Sequence, residues 1–419
     1  MLTLKYYNNL LKPKYLLQFI YDVIKTGKLS ELTSFVIWEI SYRLGFYKNS
    51  LLKFNNHQSF VNLKSYNSIS GHHWLNLSKH KWDIFFSHNQ MILGNTIESP
   101  NKLYLSENGE ITEIYEFSNP IEAIYADKFS IFVCIKGAMF KVNDELKVKE
   151  VLQFSTKESI FRHNSGFTID EVGTLFVGEY ANIWRNNSWQ FVAYLYYSCD
   201  GGDSWLKSNF LESEGINKHI HLVWWSKLLK LLVLTDGDNK KKLWVNKSQN
   251  YSSVSETQDA GWYDCTINHI QRGGYTAAVE VDECILFGSD YQGGTNCLIS
   301  TKDMKNFDLQ IIPNPYRGSY FHEMVTLVTG KRKLIIANLK CIFSSKNKSL
   351  LMTSLDGGNT WFKIIEYDGT NTKIRILNNS DMLNDTLFMR IDFEGDIYKS
   401  DVYKIELEHL ISFISSLRN

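Results

Sequence analysis

Short apolar runs separated by turn residues fill the chain from about residue 70 onward. Phe132–Ile135, Leu231–Leu234 and Cys284–Phe287 each contain four consecutive apolar residues between polar or glycine-containing segments. Runs of this length are typical of buried β-strands. The chain has only five prolines, which also suits many strands. The pattern predicts an all-β domain over residues 70–407, followed by a short amphipathic helix at 408–419.

The first 52 residues follow a different pattern. Apolar residues recur at helical spacing in Tyr15–Ile24 and Leu32–Ile40, with Gly27 placed to end the first helix and Ser30 to cap the second. We predict a helical appendage that packs on the β-domain, lies on an anionic lipid surface or docks a partner. Basic residues flank both segments: Lys5, Lys12, Lys14, Lys25, Lys28, Arg43, Lys48 and Lys53.

One eight-residue phrase occurs twice. Ser198–Trp205 and Ser354–Trp361 both have the form S-x-D-G-G-x-[ST]-W. The aspartate can accept hydrogen bonds from its own turn, and the glycines supply positive φ angles. The phrase therefore predicts a tight hairpin anchored by tryptophan, with these structural residues: Ser198, Asp200, Gly202, Trp205, Ser354, Asp356, Gly358 and Trp361.

In this phrase the chain resembles the BNR (Asp-box) repeats of sialidase-like β-propellers. The resemblance implies a ring of four-stranded blades, with a box in the outer hairpin of a blade and a tryptophan packed between blades. A degraded box around Asp303 lies 53 residues before Asp356 and 103 residues after Asp200. These intervals correspond to one blade and two blades.

Outer hairpins can be placed at similar intervals along the whole domain. They predict a seven-bladed propeller, with six blades as the alternative because the first two hairpins are weakly marked. The hairpins are 106–109, 142–145, the box at Asp200, 246–248, 301–303, the box at Asp356, and 398–401.

Polar residues concentrate where the inner strands should meet the rim opposite the boxes. Propellers bind ligands at the mouth of the central channel, so we predict a functional pocket at this rim. Its candidate residues are Arg162, His163, Glu179, Tyr180, His219, His221, Asp238, Arg272, Asp290 and His322.

Three functions fit these residues. The histidine-rich mouth resembles that of propeller-fold polysaccharide lyases, in which Arg162 or Arg272 would neutralise a uronate, His219 or His221 would act as base and Tyr180 as acid. In a sialidase, Glu179–Tyr180 would form the nucleophile, with Asp290 as acid and Arg162, Arg272 and Arg317 as an arginine triad. The F/Y-R-I-P phrase of sialidases is absent. The third function is non-catalytic binding of a glycan or a protein.

The composition limits which classes of partner and cofactor we expect. The 45 basic and 45 acidic residues cancel, so net charge does not indicate nucleic-acid binding. Without a metal-ligand spacing motif we predict no cofactor, with a divalent metal on His219, His221 and His322 as the weaker alternative. The chain shows no apolar run long enough to span a membrane and no signal-peptide pattern. We therefore predict a cytoplasmic protein, peripheral at the inner membrane, that acts on an anionic glycan in cell-surface polysaccharide metabolism.

Overall fold

In a computed structural model of the protein, the chain forms two compact units, residues 1–50 and 51–419. The structure describes residues 9, 12–25, 29, 32, 33, 36, 37, 40, 44, 50–55, 60–64, 74–88, 91–127, 130–143, 145–186, 188–215, 218–237, 242–247, 251, 261–266, 274–291, 294–330, 332–380, 382–394 and 398–416. Its helices are α1 (Pro13–Lys25), α2 (Phe210–Ser213) and α3 (Leu407–Ser416). Helix α1 confirms the first predicted N-terminal helix. Of the second, predicted at Leu32–Ile40, residues 32, 33, 36, 37 and 40 are described and are helical, and the other four lie outside the described residues. In the described part of the chain, no helix is both long and apolar enough to cross a membrane.

Strands dominate the second unit. They are β1 (Ser50–Leu51), β2 (Val61–Leu63), β3 (Asn76–Leu77), β4 (Trp82–His88), β5 (Met91–Thr96), β6 (Lys102–Glu107), β7 (Glu110–Glu116), β8 (Ala123–Ala126), β9 (Ile131–Ile135), β10 (Ala138–Val142), β11 (Val148–Gln153), β12 (Phe167–Ile169), β13 (Leu175–Gly178), β14 (Trp184–Arg185), β15 (Ser188–Trp189), β16 (Leu195–Ser198), β17 (Leu206–Ser208), β18 (Ile220–Ser226), β19 (Leu231–Asp236), β20 (Leu243–Asn246), β21 (Tyr263–Asp264), β22 (Tyr275–Val281), β23 (Cys284–Ser289), β24 (Cys297–Thr301), β25 (Phe307–Ile311), β26 (Tyr320–Thr329), β27 (Arg332–Lys340), β28 (Ser349–Ser354), β29 (Phe362–Tyr367), β30 (Thr372–Ile376), β31 (Met382–Leu383), β32 (Thr386–Phe393) and β33 (Lys399–Glu406).

These strands form the seven blades of a β-propeller, which confirms the predicted fold and the larger of the two blade counts. Blades I and II are β4–β7 and β8–β11, and blade III is β12, β13, β16 and β17. Blades IV, V and VI are β18–β21, β22–β25 and β26–β29. Blade VII combines β30, β32 and β33 with β3 from the beginning of the domain.

The segment that precedes blade I runs along the outer edges of three later blades. Strand β1 pairs with the outer strand of blade V, β2 pairs in parallel with that of blade VI, and β3 completes blade VII. Each addition covers a strand edge that would otherwise present unpaired backbone groups. The position of β3 in blade VII also explains one wrong prediction. Residues 398–401 lie at the beginning of the third strand of blade VII rather than in its outer hairpin, because the outer strand is β3.

Both Asp-box phrases form the predicted turn. In the first box the hydroxyl of Ser198 donates to Asp200 at 2.7 Å, and the backbone amide of Ser204 donates to the same carboxylate at 3.0 Å. The second box repeats these contacts with Ser354, Asp356 and Thr360 at 2.8 and 2.9 Å. In the degraded box, Asp303 accepts backbone hydrogen bonds from residues 305 and 306. These bonds lower the pKa of Asp303 to about 2.

The two box tryptophans differ in burial. Trp361 is fully buried and shares an apolar cluster with Leu52 of the edge segment, where Asn55 also donates its backbone amide to the carbonyl of Trp361. Trp205 packs against Phe132 of blade II and Phe167 of blade III, but it is only half-buried. Packing between blades is thus observed at Trp205, whereas full burial holds for Trp361 alone.

Candidate functional site

The inner strands of several blades bulge at the same rim. In blade IV, Ile220 pairs with Asp236 and Leu222 with Thr235, so His221 is an extra residue. Thr276 of blade V and His322 of blade VI are extra residues in the same way. A β-bulge redirects its side chain, and the repetition gathers these residues around the mouth of the channel. The register of blade III places Gly178 at this end of the blade and Ser198, where the Asp-box begins, at the other.

His219 and His221 form a buried pair. Their Nε2 atoms are 3.0 Å apart, and Nδ1 of His219 lies 2.7 Å from the carbonyl oxygen of Ala181. Their exposed fractions are 0% and 3%. Gly237 makes this packing possible, because a Cβ there would lie 2.3 Å from the His219 ring.

Tyr180 and Arg162 lie over this pair. The ring centroid of Tyr180 is 4.1 Å from that of His219, and the guanidinium carbon of Arg162 is 5.6 Å from the Tyr180 ring. Arg162 also donates from Nη1 to the carbonyl of His221 at 3.2 Å. Tyr180 and Arg162 are half-buried, so they are the part of this stack that a ligand can reach.

A turn at 162–165 reaches across the channel. His163 contacts the carbonyl of Ile124 in blade II at 3.1 Å, and Ser165 donates to the carbonyl of His221 in blade IV at 3.3 Å. Asn164 donates to the carbonyl of Asn378, which follows the inner strand of blade VII, at 3.1 Å. Blades III and VII lie on nearly opposite sides of a seven-membered ring. The turn therefore occupies the channel, and a ligand at the mouth meets Arg162 rather than an open pore.

Several cations share the mouth with His322. Burial lowers the pKa of His322 well below its ordinary value, and the positive charges of Lys340, Arg162 and Arg375 lower it further. Burial likewise lowers the pKa of Lys340, which is 7% exposed, although the carboxyl group of Glu323 opposes this shift. Arg162, Lys340 and Arg375 therefore lie close enough to His322 for their charges to act on it.

Glu323 is the acidic group of this cluster. Burial raises its pKa, while a hydrogen bond from the backbone amide of Ile376 at 2.7 Å and the charges of Arg375, Lys340 and Arg162 favour the ionised form. Its carboxylate lies 3.9 Å from His322. Arg375 itself donates at 2.8 Å to Asp83 of blade I, which also accepts a hydrogen bond from Arg390.

Glu179 lies in a different environment from its neighbour Tyr180. Its carboxylate accepts hydrogen bonds from the hydroxyls of Ser155 and Ser159 at 2.5 Å each and of Tyr196 at 2.8 Å. Burial raises its pKa, and these donors oppose the shift. Adjacent residues of an extended segment point to opposite sides, so Glu179 points between blades II and III while Tyr180 points to the mouth.

The remaining candidates divide into three groups. Asp290 is half-buried at the mouth and interacts electrostatically with Tyr320. His163 lies in the channel turn, where burial lowers its pKa to about 4. Asp238 and Arg272 lie outside the described residues.

The histidines do not converge as metal ligands. His219 uses one ring nitrogen toward Ala181 and the other toward His221. Among the residues that the structure describes, no group of three or more His, Cys, Asp or Glu side chains could hold a metal ion.

Sequence reasoning missed Lys340, Arg375 and Asp83. Lys340 ends the second strand of blade VI, a position equivalent to Tyr180 in blade III, so the same rule would have selected it. Arg375 alternates with Ile374 and Ile376, and this period of two places Lys373 and Arg375 on one face. Asp83 had no comparable signal, because its two arginines come from the far end of the chain.

The sequence matches no protein-family model and no curated protein. Solved structures with a similar fold include virginiamycin B lyase from Staphylococcus aureus, at 12% identity and a TM-score of 0.47, covering 79% of this chain and 98% of that one. The luciferin-regenerating enzyme shows 11% identity and a TM-score of 0.40, with 79% and 94% covered. An extracellular domain of a putative one-component system from B. thetaiotaomicron shows 10% identity and a TM-score of 0.47, with 78% and 39% covered. These values concern the fold and assign no activity.

Proposed function

We propose that the mouth of the propeller binds an anionic glycan. The observation that carries the proposal is the group of three cationic side chains whose charges act on His322, since Arg162, Lys340 and Arg375 come from three different blades. Guanidinium groups hold carboxylates and sulfates through paired hydrogen bonds. An acidic sugar is therefore a better fit for this mouth than a neutral one.

Tyr180 supplies the second element of the proposed site. Its ring contacts both Arg162 and His219. An aromatic ring backed by a buried pair is held rigidly and offers an apolar edge together with a hydroxyl. In the proposed complex Arg162 binds the acidic group, Tyr180 contacts the sugar ring, and Asp290 and His322 contact its hydroxyls.

Two outcomes are open to a bound glycan. In a lyase, Tyr180 would be the group best placed to exchange a proton with substrate, because it is half-buried and the histidines lie behind it. Non-catalytic binding is the second candidate, and the burial of His219 and His221 favours it, since a base must reach its proton. Hydrolysis through Glu179 is less well supported, because that carboxylate accepts four hydrogen bonds, three from hydroxyls and one from the backbone amide of Ser155.

Isothermal titration calorimetry with polygalacturonate fragments tests the proposal, with uncharged dextran fragments as the control ligand. Arg162→Ala should weaken binding by roughly tenfold or more, the usual effect of losing a charged hydrogen-bond partner. The matched control is Arg185→Ala, since Arg185 is exposed and pairs with Glu158 at 3.0 Å. Equal affinity for both ligands, or no effect of Arg162→Ala, would refute an anionic-glycan site built on Arg162.

The products separate a lyase, a hydrolase and a non-catalytic binding site. A lyase leaves an unsaturated uronate that absorbs in the ultraviolet, whereas a hydrolase leaves new reducing ends without that absorbance. Binding that yields neither product supports the non-catalytic candidate.

We also propose that the chain is a divergent member of the BNR repeat propellers. The support is local: the same serine, aspartate and glycine contacts recur in both boxes. A role in cell-surface polysaccharide metabolism and a cytoplasmic location stay predictions from the sequence.

A further inference from the structure

Exposed apolar side chains concentrate in the first unit. Of the 21 large hydrophobic residues that are exposed in the described part of the chain, ten lie between residues 16 and 44. A soluble domain rarely leaves apolar residues exposed in one cluster. The ten are Leu16, Leu17, Ile20, Tyr21, Ile24, Leu29, Val36, Ile37, Ile40 and Leu44.

Half of them form one face of α1. At about 100° per residue, the five residues from Leu16 to Ile24 fall within an arc of about 140° of the helix circumference. Leu17 and Tyr21 are 68% and 62% exposed, while Val23, beyond the edge of the arc, is buried. The helix therefore packs through its Val23 side and presents a broad apolar face to solvent.

The charges beside this face are positive. Lys14 and Lys25 follow Tyr21 around the helix at one edge of the arc, and Lys12 precedes the first turn; all three are exposed. The only acidic residue in α1 is Asp22. Long basic side chains at the edge of an apolar face can extend to lipid phosphates while the face enters the acyl boundary.

We propose that α1 docks the protein on a membrane surface rich in anionic lipid, with Leu17, Ile20 and Ile24 inserted and Lys14 and Lys25 at the headgroups. Charge complementarity selects this occupant, because a second copy of α1 would bring the same lysines together. The proposal is independent of the glycan site.

Co-sedimentation of the full chain with vesicles tests it. Vesicles of phosphatidylcholine with about one-third phosphatidylglycerol, a composition that gives the surface a negative potential, should pellet the protein. Vesicles of phosphatidylcholine alone should pellet much less. Raising the salt concentration from about 0.05 M to about 0.5 M should reduce binding, because it shortens the Debye length.

Two neighbouring substitutions of equal charge separate insertion from simple attraction. Leu17→Glu should reduce partitioning by roughly tenfold or more, as expected when a leucine no longer leaves water. Gln18→Glu changes the charge equally on the polar side and should reduce it much less. Thermal unfolding of both variants checks that the propeller remains folded.

Three results would overturn the proposal. One is the absence of pelleting with anionic vesicles, and another is an equal loss in the two variants. The third is a dimer that light scattering detects and that Leu17→Glu dissociates. The apolar face of α1 would then bind a second copy of the chain rather than lipid.

Discussion

The imidazole rings of His219 and His221 meet through their Nε2 atoms, 3.0 Å apart. The carbonyl of Ala181 can only accept, so Nδ1 of His219 carries a proton and donates to it. In a neutral pair, Nε2 of His219 must then accept the proton that Nε2 of His221 donates. Nδ1 of His221 is left as the acceptor nitrogen, beside Gly274, where a Cβ would lie 3.2 Å from it.

This hydrogen-bond order predicts two different tautomers. Long-range nitrogen–proton NMR on histidine-labelled protein should show His219 protonated at Nδ1 and His221 protonated at Nε2. Spectra of His219→Gln and His221→Gln provide the assignments. Protonation of His221 at Nδ1, or of both rings at both nitrogens, would contradict the arrangement.

Asp83 joins the first blade to the last, and its removal should open this junction. It accepts hydrogen bonds from Arg375 and Arg390, and Arg390 is only 11% exposed. Asp83→Asn should lower the free energy of unfolding by at least ~2 kcal/mol, because it leaves two arginines without their shared counter-charge. Urea denaturation measures this.

The control for Asp83 is another aspartate in an ion pair. Asp203 pairs with Lys141 at 2.8 Å and is 61% exposed. Asp203→Asn should cost less than about 1 kcal/mol. If both substitutions cost the same, the junction contributes no more than a surface pair.

Asp236 should make stability depend on pH. Burial raises its pKa to about 7, against an ordinary value of 3.8. Between these values the unfolded chain has released the proton and the folded chain still holds it, so stability falls as pH rises through this window. Asp236→Asn cannot ionise and keeps an oxygen to accept from the amide of Lys242. The gain in unfolding free energy of the variant over the wild type should therefore grow from about pH 4 to about pH 7 and then level off. A difference that does not change with pH would contradict the assignment.

The two box tryptophans should differ in their contribution to stability. Trp361→Ala should cost about 3–5 kcal/mol, as for other buried aromatic residues. Trp205→Ala should cost about half as much, since Trp205 is half-buried. If the two variants lose the same unfolding free energy in urea denaturation, coverage by the edge segment adds nothing to the contribution of Trp361.

The repeated phrase made the propeller predictable from sequence, because its aspartate, glycines and tryptophan encode the turn locally. Residues 398–401 misled the blade assignment for the opposite reason. A link between the second and third strands has the same turn chemistry as an outer hairpin, and only β3, more than 300 residues earlier, decides which it is.

The candidate site was also predictable only in part. His219, His221 and His322 could be found because each lies at the start of an inner strand. The environment of Glu179 could not, because its donors come from a loop of the preceding segment and from Tyr196, and no local pattern joins them. The channel turn was visible only as Arg162 and His163, since its partners belong to three other blades.

The edge strands β1 to β3 are synthesised long before the strands with which they pair. They leave the ribosome before any blade exists, yet their pairing partners belong to blades V, VI and VII. The nascent chain must therefore keep these three strands unpaired while the first four blades form. Premature termination before β25 would leave all three edge strands without their partners, and termination anywhere before β33 would leave at least β3 unpaired. For this protein, quality control of unfinished chains matters from the first strand to the last.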